Sequence, residues 1–160
     1  MDEISPRDLD MAIHAVLEEL HGISDLYPNQ YEILTTLVHN QNIFYTDATN
    51  SGKTLPVVIY PKILKELNSM GYNFPHNPKV LFVTALNSLK LSLINNVKAV
   101  GVNCEGVTSD NIQGLLDSDT SVLFISPEVL KLPSVTQTLL MYRSAFVLKV
   151  IDECHLGNII

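Results

Sequence analysis

The sequence is poor in cysteine and contains no long apolar run. Its two cysteines, Cys104 and Cys154, lie far apart and form neither a metal-ligand spacing nor a dense disulfide framework. We therefore expect two reduced thiols in an intracellular protein. No run approaches the ~18 apolar residues that indicate a membrane-spanning helix. Residues 1–20 are acidic and amphipathic, which is not the pattern of a signal peptide, and we expect no membrane segment.

Basic residues are also scarce, with 10 Lys and Arg against 17 Asp and Glu and a formal net charge of −7. This balance disfavours nucleic-acid binding, because Lys and Arg supply most of the affinity for phosphates. Apolar residues, in contrast, make up 46% of the chain, and the mean hydropathy is +0.19. Such a composition is typical of parallel strands buried on both faces, or of a surface that another lobe covers. A length of 160 residues suits one domain.

The apolar pattern changes from helical to alternating helix and strand along the chain. A first helix begins at Ser5, which can cap it, and Gly22 can end it. A second helix runs from Pro28 to about His39. Beyond it we predict strands at 43–48, 80–83, 102–107, 121–125 and 146–151, and helices at 52–68, 86–100, 111–116 and, broken at Pro133, 127–142. This alternation predicts β-α-β units and a parallel sheet.

The most informative motif follows the first predicted strand and opens a helix, and it reads Ala48-Thr49-Asn50-Ser51-Gly52-Lys53-Thr54. A strand, a loop and a helix in this order form the context of a P-loop, whose backbone N–H groups bind phosphates. Lys53 would reach the β- and γ-phosphates of a nucleotide, and the Thr54 hydroxyl would ligate Mg²⁺. Gly52 leaves room for close backbone approach. The general pattern begins with Gly where this chain has Asp47.

A pair of acidic residues follows the last predicted strand, in the segment Asp152-Glu153-Cys154-His155. Ligands of open parallel sheets bind outside the carboxyl ends of the strands. Asp152 would hold Mg²⁺ directly or through water, and Glu153 would orient and activate the attacking water. Acidic residues at a strand end often serve only solvation. The phosphate loop makes the catalytic interpretation the stronger of the two.

With both motifs, the chain resembles the first RecA-like lobe of superfamily 2 DExH helicases, and within them the RecQ family, from about Leu20 to His155. The segment from Leu26 to Gln30 resembles the adenine-recognising motif, in which Gln30 would read the adenine edge. The resemblance implies ATP and Mg²⁺ as cofactors, with Thr49, Asn50 and Ser51 joining the ATP site and His155 coupling it to neighbouring elements. Helicases usually have Gly where this chain has Asn50.

Two further segments are similar to elements that contact the nucleic-acid backbone in that family. They run from Val83 to Leu89 and from Phe124 to Leu130. The contact residues that the resemblance implies there are Thr84, Asn87, Ser88, Ser126 and Glu128. The chain departs from the family pattern at Tyr27, Ala85, Ser92, Leu93, Ile94 and Val129. Each departure removes a polar or basic contact, so the ATP motifs are better preserved than those for DNA.

The resemblance implies a three-layer α/β fold, the RecA-like P-loop fold, with a central, mostly parallel sheet that is incomplete at the C-terminus. We divide the chain into an N-terminal helix, 1–22, and an ATP-binding domain, 23–160, truncated after the DExH box. As implied partners we expect DNA and a second RecA-like lobe, with 3′-to-5′ movement and a nuclear location. The alternative is a degenerate non-motor lobe, or a fragment, that binds nucleotide or another protein.

Overall fold

The computed structural model describes residues 3–39, 54–85 and 88–151, without the side chains of 88–90. Its elements, in chain order, are α1 (Pro6–Glu19), α2 (Pro28–Val38), α3 (Thr54–Ser69), β1 (Lys79–Val83), α4 (Ser88–Ala99), β2 (Cys104–Gly106), α5 (Ile112–Asp117), β3 (Val122–Ile125), α6 (Pro127–Leu130), α7 (Pro133–Met141) and β4 (Phe146–Ile151). A 3₁₀ turn at Arg143–Ala145 precedes β4.

The described strands form one parallel sheet in the order β2-β3-β1-β4. This arrangement confirms the prediction of β-α-β units and a parallel sheet. Val83 lies opposite Ile125 on one side and opposite Ile151 on the other. β1, β3 and β4 therefore end side by side, and we call this side of the sheet the carboxyl edge. The opposite side, where the strands begin, is the amino edge.

Alternate residues of each strand point to opposite faces of the sheet and create two apolar layers. On one face, Val80 and Phe82 of β1 belong to a core that includes α1, α2, α3 and α4. On the other face, Leu81 and Val83 belong to a core that includes α5 and α7. The sheet is thus covered on both faces, which confirms the three-layer α/β architecture.

β4 is the least covered strand of the described sheet. None of its six residues is buried, and Ile151 is 53% exposed. Lys149 is exposed in the middle of this otherwise apolar strand. β1 and β3, by contrast, are buried along their whole length. Within the described residues, β4 pairs only with β1.

The first helix begins as predicted and ends earlier than predicted. Ser5 Oγ accepts a hydrogen bond from the Asp8 backbone N at 3.1 Å, and Pro6 occupies the first turn. The helix ends at Glu19 because Leu20 turns to an extended conformation and is buried in the core. Gly22, at φ 80°, belongs to the loop that follows.

The later elements follow the predicted order, and several of them are shorter than predicted. β2 spans three residues, Cys104–Gly106, of the six predicted at 102–107. Pro133 separates α6 from α7 as predicted. The strand predicted at 43–48 lies outside the described residues, as do positions 86 and 87 at the predicted start of α4.

A buried lysine, which the sequence pattern did not predict, fixes the amino edge. Lys79 is 1% exposed, and its Nζ donates to the carbonyl oxygens of Leu115 at 3.3 Å, Ser118 at 2.8 Å and Thr120 at 2.7 Å. Burial lowers the pKa of the Lys79 ammonium below its usual value. The three acceptors belong to the end of α5 and the turn after it. Lys79 therefore joins the start of β1 to the segment that leads into β3.

Replacing this lysine should destabilise the fold strongly. We expect Lys79→Met to lower the free energy of unfolding by about 2–4 kcal/mol, because carbonyl groups that are now paired lose their donor. Urea denaturation measures the change. The exposed Lys131 offers a matched control, since Lys131→Met should stay within about 0.5 kcal/mol of the wild type. Equal midpoints for Lys79→Met and wild type would contradict the structural role.

Candidate functional site

The helix that follows the predicted phosphate loop starts at the carboxyl edge. α3 begins at Thr54, packs on β1, and leads from its last residue, Ser69, through a short loop to the start of β1. α3 must therefore run antiparallel to β1, which puts its N-terminus, with the half-buried Thr54, beside the ends of the strands. Thr49, Asn50, Ser51, Gly52 and Lys53 lie outside the described residues.

The strand that precedes the predicted acidic pair ends at the same edge. Ile151, the last residue of β4, lies opposite Val83, and Asp152 is the next residue in the sequence. Asp152, Glu153 and His155 lie outside the described residues. The structure thus places the chain positions directly adjacent to Lys53 and to Asp152 at one edge of the sheet, and it leaves the roles of these side chains as predictions.

The structure also brings together two residues predicted to contact nucleic acid. The Thr84 backbone N donates to the Ile125 carbonyl at 2.9 Å, and Ser126 follows Ile125 directly. Thr84 is 0% exposed, and Ser126 is 8% exposed with its Oγ accepting from the Val129 backbone N at 3.2 Å. These hydroxyls are parts of the packed edge and its helix cap. A backbone-contacting role for them stays a prediction.

The structure describes the other three residues predicted to contact nucleic acid in less detail. Glu128 is exposed in the first turn of α6, where its carboxylate suits the positive end of a helix. Ser88 begins α4, and its side chain is not described. Asn87 lies outside the described residues.

Gln30 has a structural function that the resemblance did not indicate. It is 3% exposed, and its Oε1 accepts a hydrogen bond from the Tyr27 backbone N at 2.7 Å. Its own backbone N donates to the Tyr27 carbonyl at 2.9 Å. The residue thus closes a capping arrangement at the start of α2. The signal was present in the sequence, as Pro28 in the first position and Gln in the third are typical of a helix start. Adenine recognition by Gln30 stays a prediction.

Away from this edge, the described residues offer little for catalysis. A cavity of about 220 Å³ at the amino edge is lined by polar side chains, and two of its charges, Lys62 and Glu19, lie 3.8 Å apart. The described residues contain no cluster of three or more metal-ligating side chains. Cys104 is a free, buried thiol, and burial raises its pKa to about 11. No helix in the described ranges is long and apolar enough to cross a membrane.

Comparison with models of known protein families shows the family to which the chain belongs. Residues 10–159 match the family described as Type III restriction enzyme, res subunit, and the chain belongs to this family. The family and the fold together define the N-terminal lobe of a superfamily 2 helicase, which binds ATP. A lobe of this type implies the use of ATP with Mg²⁺, and it suggests an interaction with nucleic acid. A search of curated proteins found no match.

Because Gln30 caps α2, we expect its replacement to destabilise the protein even when no nucleotide is present. Gln30→Ala should lower the free energy of unfolding by about 1–2 kcal/mol in the absence of ATP, because the Tyr27 backbone N–H at the start of α2 loses its acceptor. Thermal unfolding measures the change, with the exposed Gln137→Ala as control. Unchanged stability combined with weaker nucleotide binding would instead show that Gln30 acts mainly on the ligand.

Proposed function

We propose that this chain is the ATP-hydrolysing lobe of a RecQ-like DNA helicase, with an N-terminal helix at 1–22 and the ATP-binding domain at 23–160. The observation that carries the proposal is that α3 begins, and β4 ends, at one edge of a parallel sheet. Those two ends adjoin Lys53 and Asp152 in the sequence. The motif at Gln30 and the segment from Asp152 to His155 supply the resemblance to RecQ.

The residues at this edge suit a nucleotide with its metal ion. The N-terminus of a 16-residue helix carries partial positive charge and unpaired N–H groups, which favour phosphate. Lys53 supplies a cation for the β- and γ-phosphates, and the oxygen atoms of Thr54 and Asp152 are the ligands that Mg²⁺ prefers. Glu153 orients water for attack on the γ-phosphate and accepts its proton.

The distribution of charge removes the main objection to a nucleic-acid partner. Residues 1–39 contain eight of the 17 acidic residues and one of the ten basic residues, Arg7. The remainder of the chain therefore carries nine charges of each sign. The net charge of −7 thus belongs to the segment that holds α1 and α2, and residues 40–160 are neutral on balance.

Hydrolysis by this chain alone should be slow. Asn50 stands in place of the usual Gly, and an arginine finger from a second lobe contributes on the order of 10³–10⁵ in rate where it has been measured. We expect the 160-residue chain to bind Mg·ATP weakly and to unwind no DNA by itself. A non-motor lobe that binds nucleotide is the second candidate. The burial of Thr84 and the capping role of Ser126 favour it, because a buried hydroxyl and one that caps a helix are less accessible to nucleic acid.

Nucleotide binding tests the site directly. A fluorescent ATP analogue in Mg²⁺ should bind at micromolar concentration, and Lys53→Ala should weaken binding roughly tenfold or more, because it removes a charged donor to phosphate. Lys65→Ala, an equal change of charge on the far part of α3, is the matched control. No binding by the folded wild type, with folding verified by circular dichroism, would overturn the proposal.

Hydrolysis separates the motor from the non-motor candidate. Glu153→Gln should keep nucleotide affinity within about twofold, because its carboxylate acts on the attacking water, and should reduce single-turnover ATP hydrolysis by roughly 10²-fold or more. The assay should include single-stranded DNA, which a motor lobe is expected to respond to. If wild type and Glu153→Gln hydrolyse ATP at the same background rate, the non-motor candidate is the better description.

A further inference from the structure

Nucleic acid that lies across the carboxyl edge needs a cation to bind its phosphates, and the described residues so far predicted to contact nucleic acid do not provide one. Thr84 is buried, and the Ser126 hydroxyl is occupied as a helix cap. Glu128 carries the same sign of charge as a phosphate. Phosphate contacts by Lys or Arg supply most of the affinity in such interfaces.

Lys131 is exposed at this edge and has a fixed backbone. It follows α6, whose first residue comes two positions after the end of β3. Its backbone N donates to the Pro127 carbonyl at 3.1 Å, and the preceding turn is closed by Leu130 N donating to the Ser126 carbonyl at 2.9 Å. The Thr136 hydroxyl donates to the Leu130 carbonyl at 2.6 Å and ties this turn to α7. The lysine is therefore presented from a hydrogen-bonded turn.

The other cationic side chains that the structure describes belong to elements other than the α6 turn. Lys62 and Lys65 line the cavity at the amino edge, and Lys79 is buried at the start of β1. Lys98, near the end of α4, pairs with Glu105 at 2.6 Å. Arg143 precedes β4, Lys149 lies within it, and Arg7 lies at the start of α1. No ion pair joins Lys131 to a described carboxylate, so its charge is available to a ligand.

We propose that Lys131 binds a backbone phosphate of the nucleic acid that this lobe contacts. The inference rests on the proposed function, and it assigns a contact to a residue outside the motifs that carry the family resemblance. The recognised group is a phosphodiester, which carries no base information, so the contact strengthens binding equally across sequences. It also places the nucleic acid over the α6 turn, at the end of β3.

Salt dependence of binding distinguishes a phosphate contact from a general effect of charge. A fluorescein-labelled single-stranded oligodeoxynucleotide would be titrated with protein between 25 and 200 mM NaCl, in Mg²⁺ and a non-hydrolysable ATP analogue. Lys131→Ala should weaken binding several-fold at low salt and reduce the slope of log K against log [salt] by about one. Lys131→Arg should restore both values. Lys65→Ala, which changes the net charge equally at the amino edge, should leave the slope unchanged.

The outcomes separate this inference from the function on which it rests. Equal slopes for wild type, Lys131→Ala and Lys65→Ala would overturn the role of Lys131 while leaving a nucleic-acid-binding lobe intact. A wild type that binds the ATP analogue but no oligonucleotide would overturn both the inference and the nucleic-acid part of the proposed function. Equal loss of slope in the two alanine variants would show a non-specific charge effect and would also overturn the assignment.

Discussion

The backbone hydrogen bonds that hold β1 between β3 and β4 determine the geometry of the whole carboxyl edge. Because Val83 is in register with both Ile125 and Ile151, three strands end at one level. A shift of one residue would turn the apolar side chains of a strand from one core to the other, and both cores are filled. The register is therefore determined by burial on two faces. The alignment of the segments that follow these strands is a consequence of it.

Most of the fold could be predicted from the sequence, because its signals are local. Apolar periodicity, the Ser5 cap and the break at Pro133 identified the elements, and their alternation indicated a parallel sheet. Strand order and the role of Lys79 were not predictable in this way. Lys79 accommodates its charge through carbonyls more than 30 positions away in the chain, and periodicity contains no information about such contacts.

The elements that flank the candidate site were predictable from the sequence, and the contacts of individual residues were less so. Motif order correctly placed the start of α3 and the end of β4 on one edge. The sequence also indicated that Ser126 caps the helix that Pro127 begins, which the structure confirms. It did not show that Gln30 uses its side-chain oxygen to cap α2. Residue types that bind ligands well, small and polar with a free acceptor, are also those that cap helices well. Sequence alone cannot separate these two uses, since both occur where a strand or loop passes into a helix.

The exposed surface of β4 affects how the protein behaves during handling. Among the described residues β4 pairs only with β1 and none of its six residues is buried, and exposed apolar strands of this kind promote aggregation. Lys149 stands in the middle of this strand, where an exposed charge discourages association through this surface. Solubility during purification is thus sensitive to a residue that has no predicted catalytic role. An apolar residue in place of Lys149 would suit a β-strand better. It would nevertheless favour precipitation, because the strand would lose its one charge.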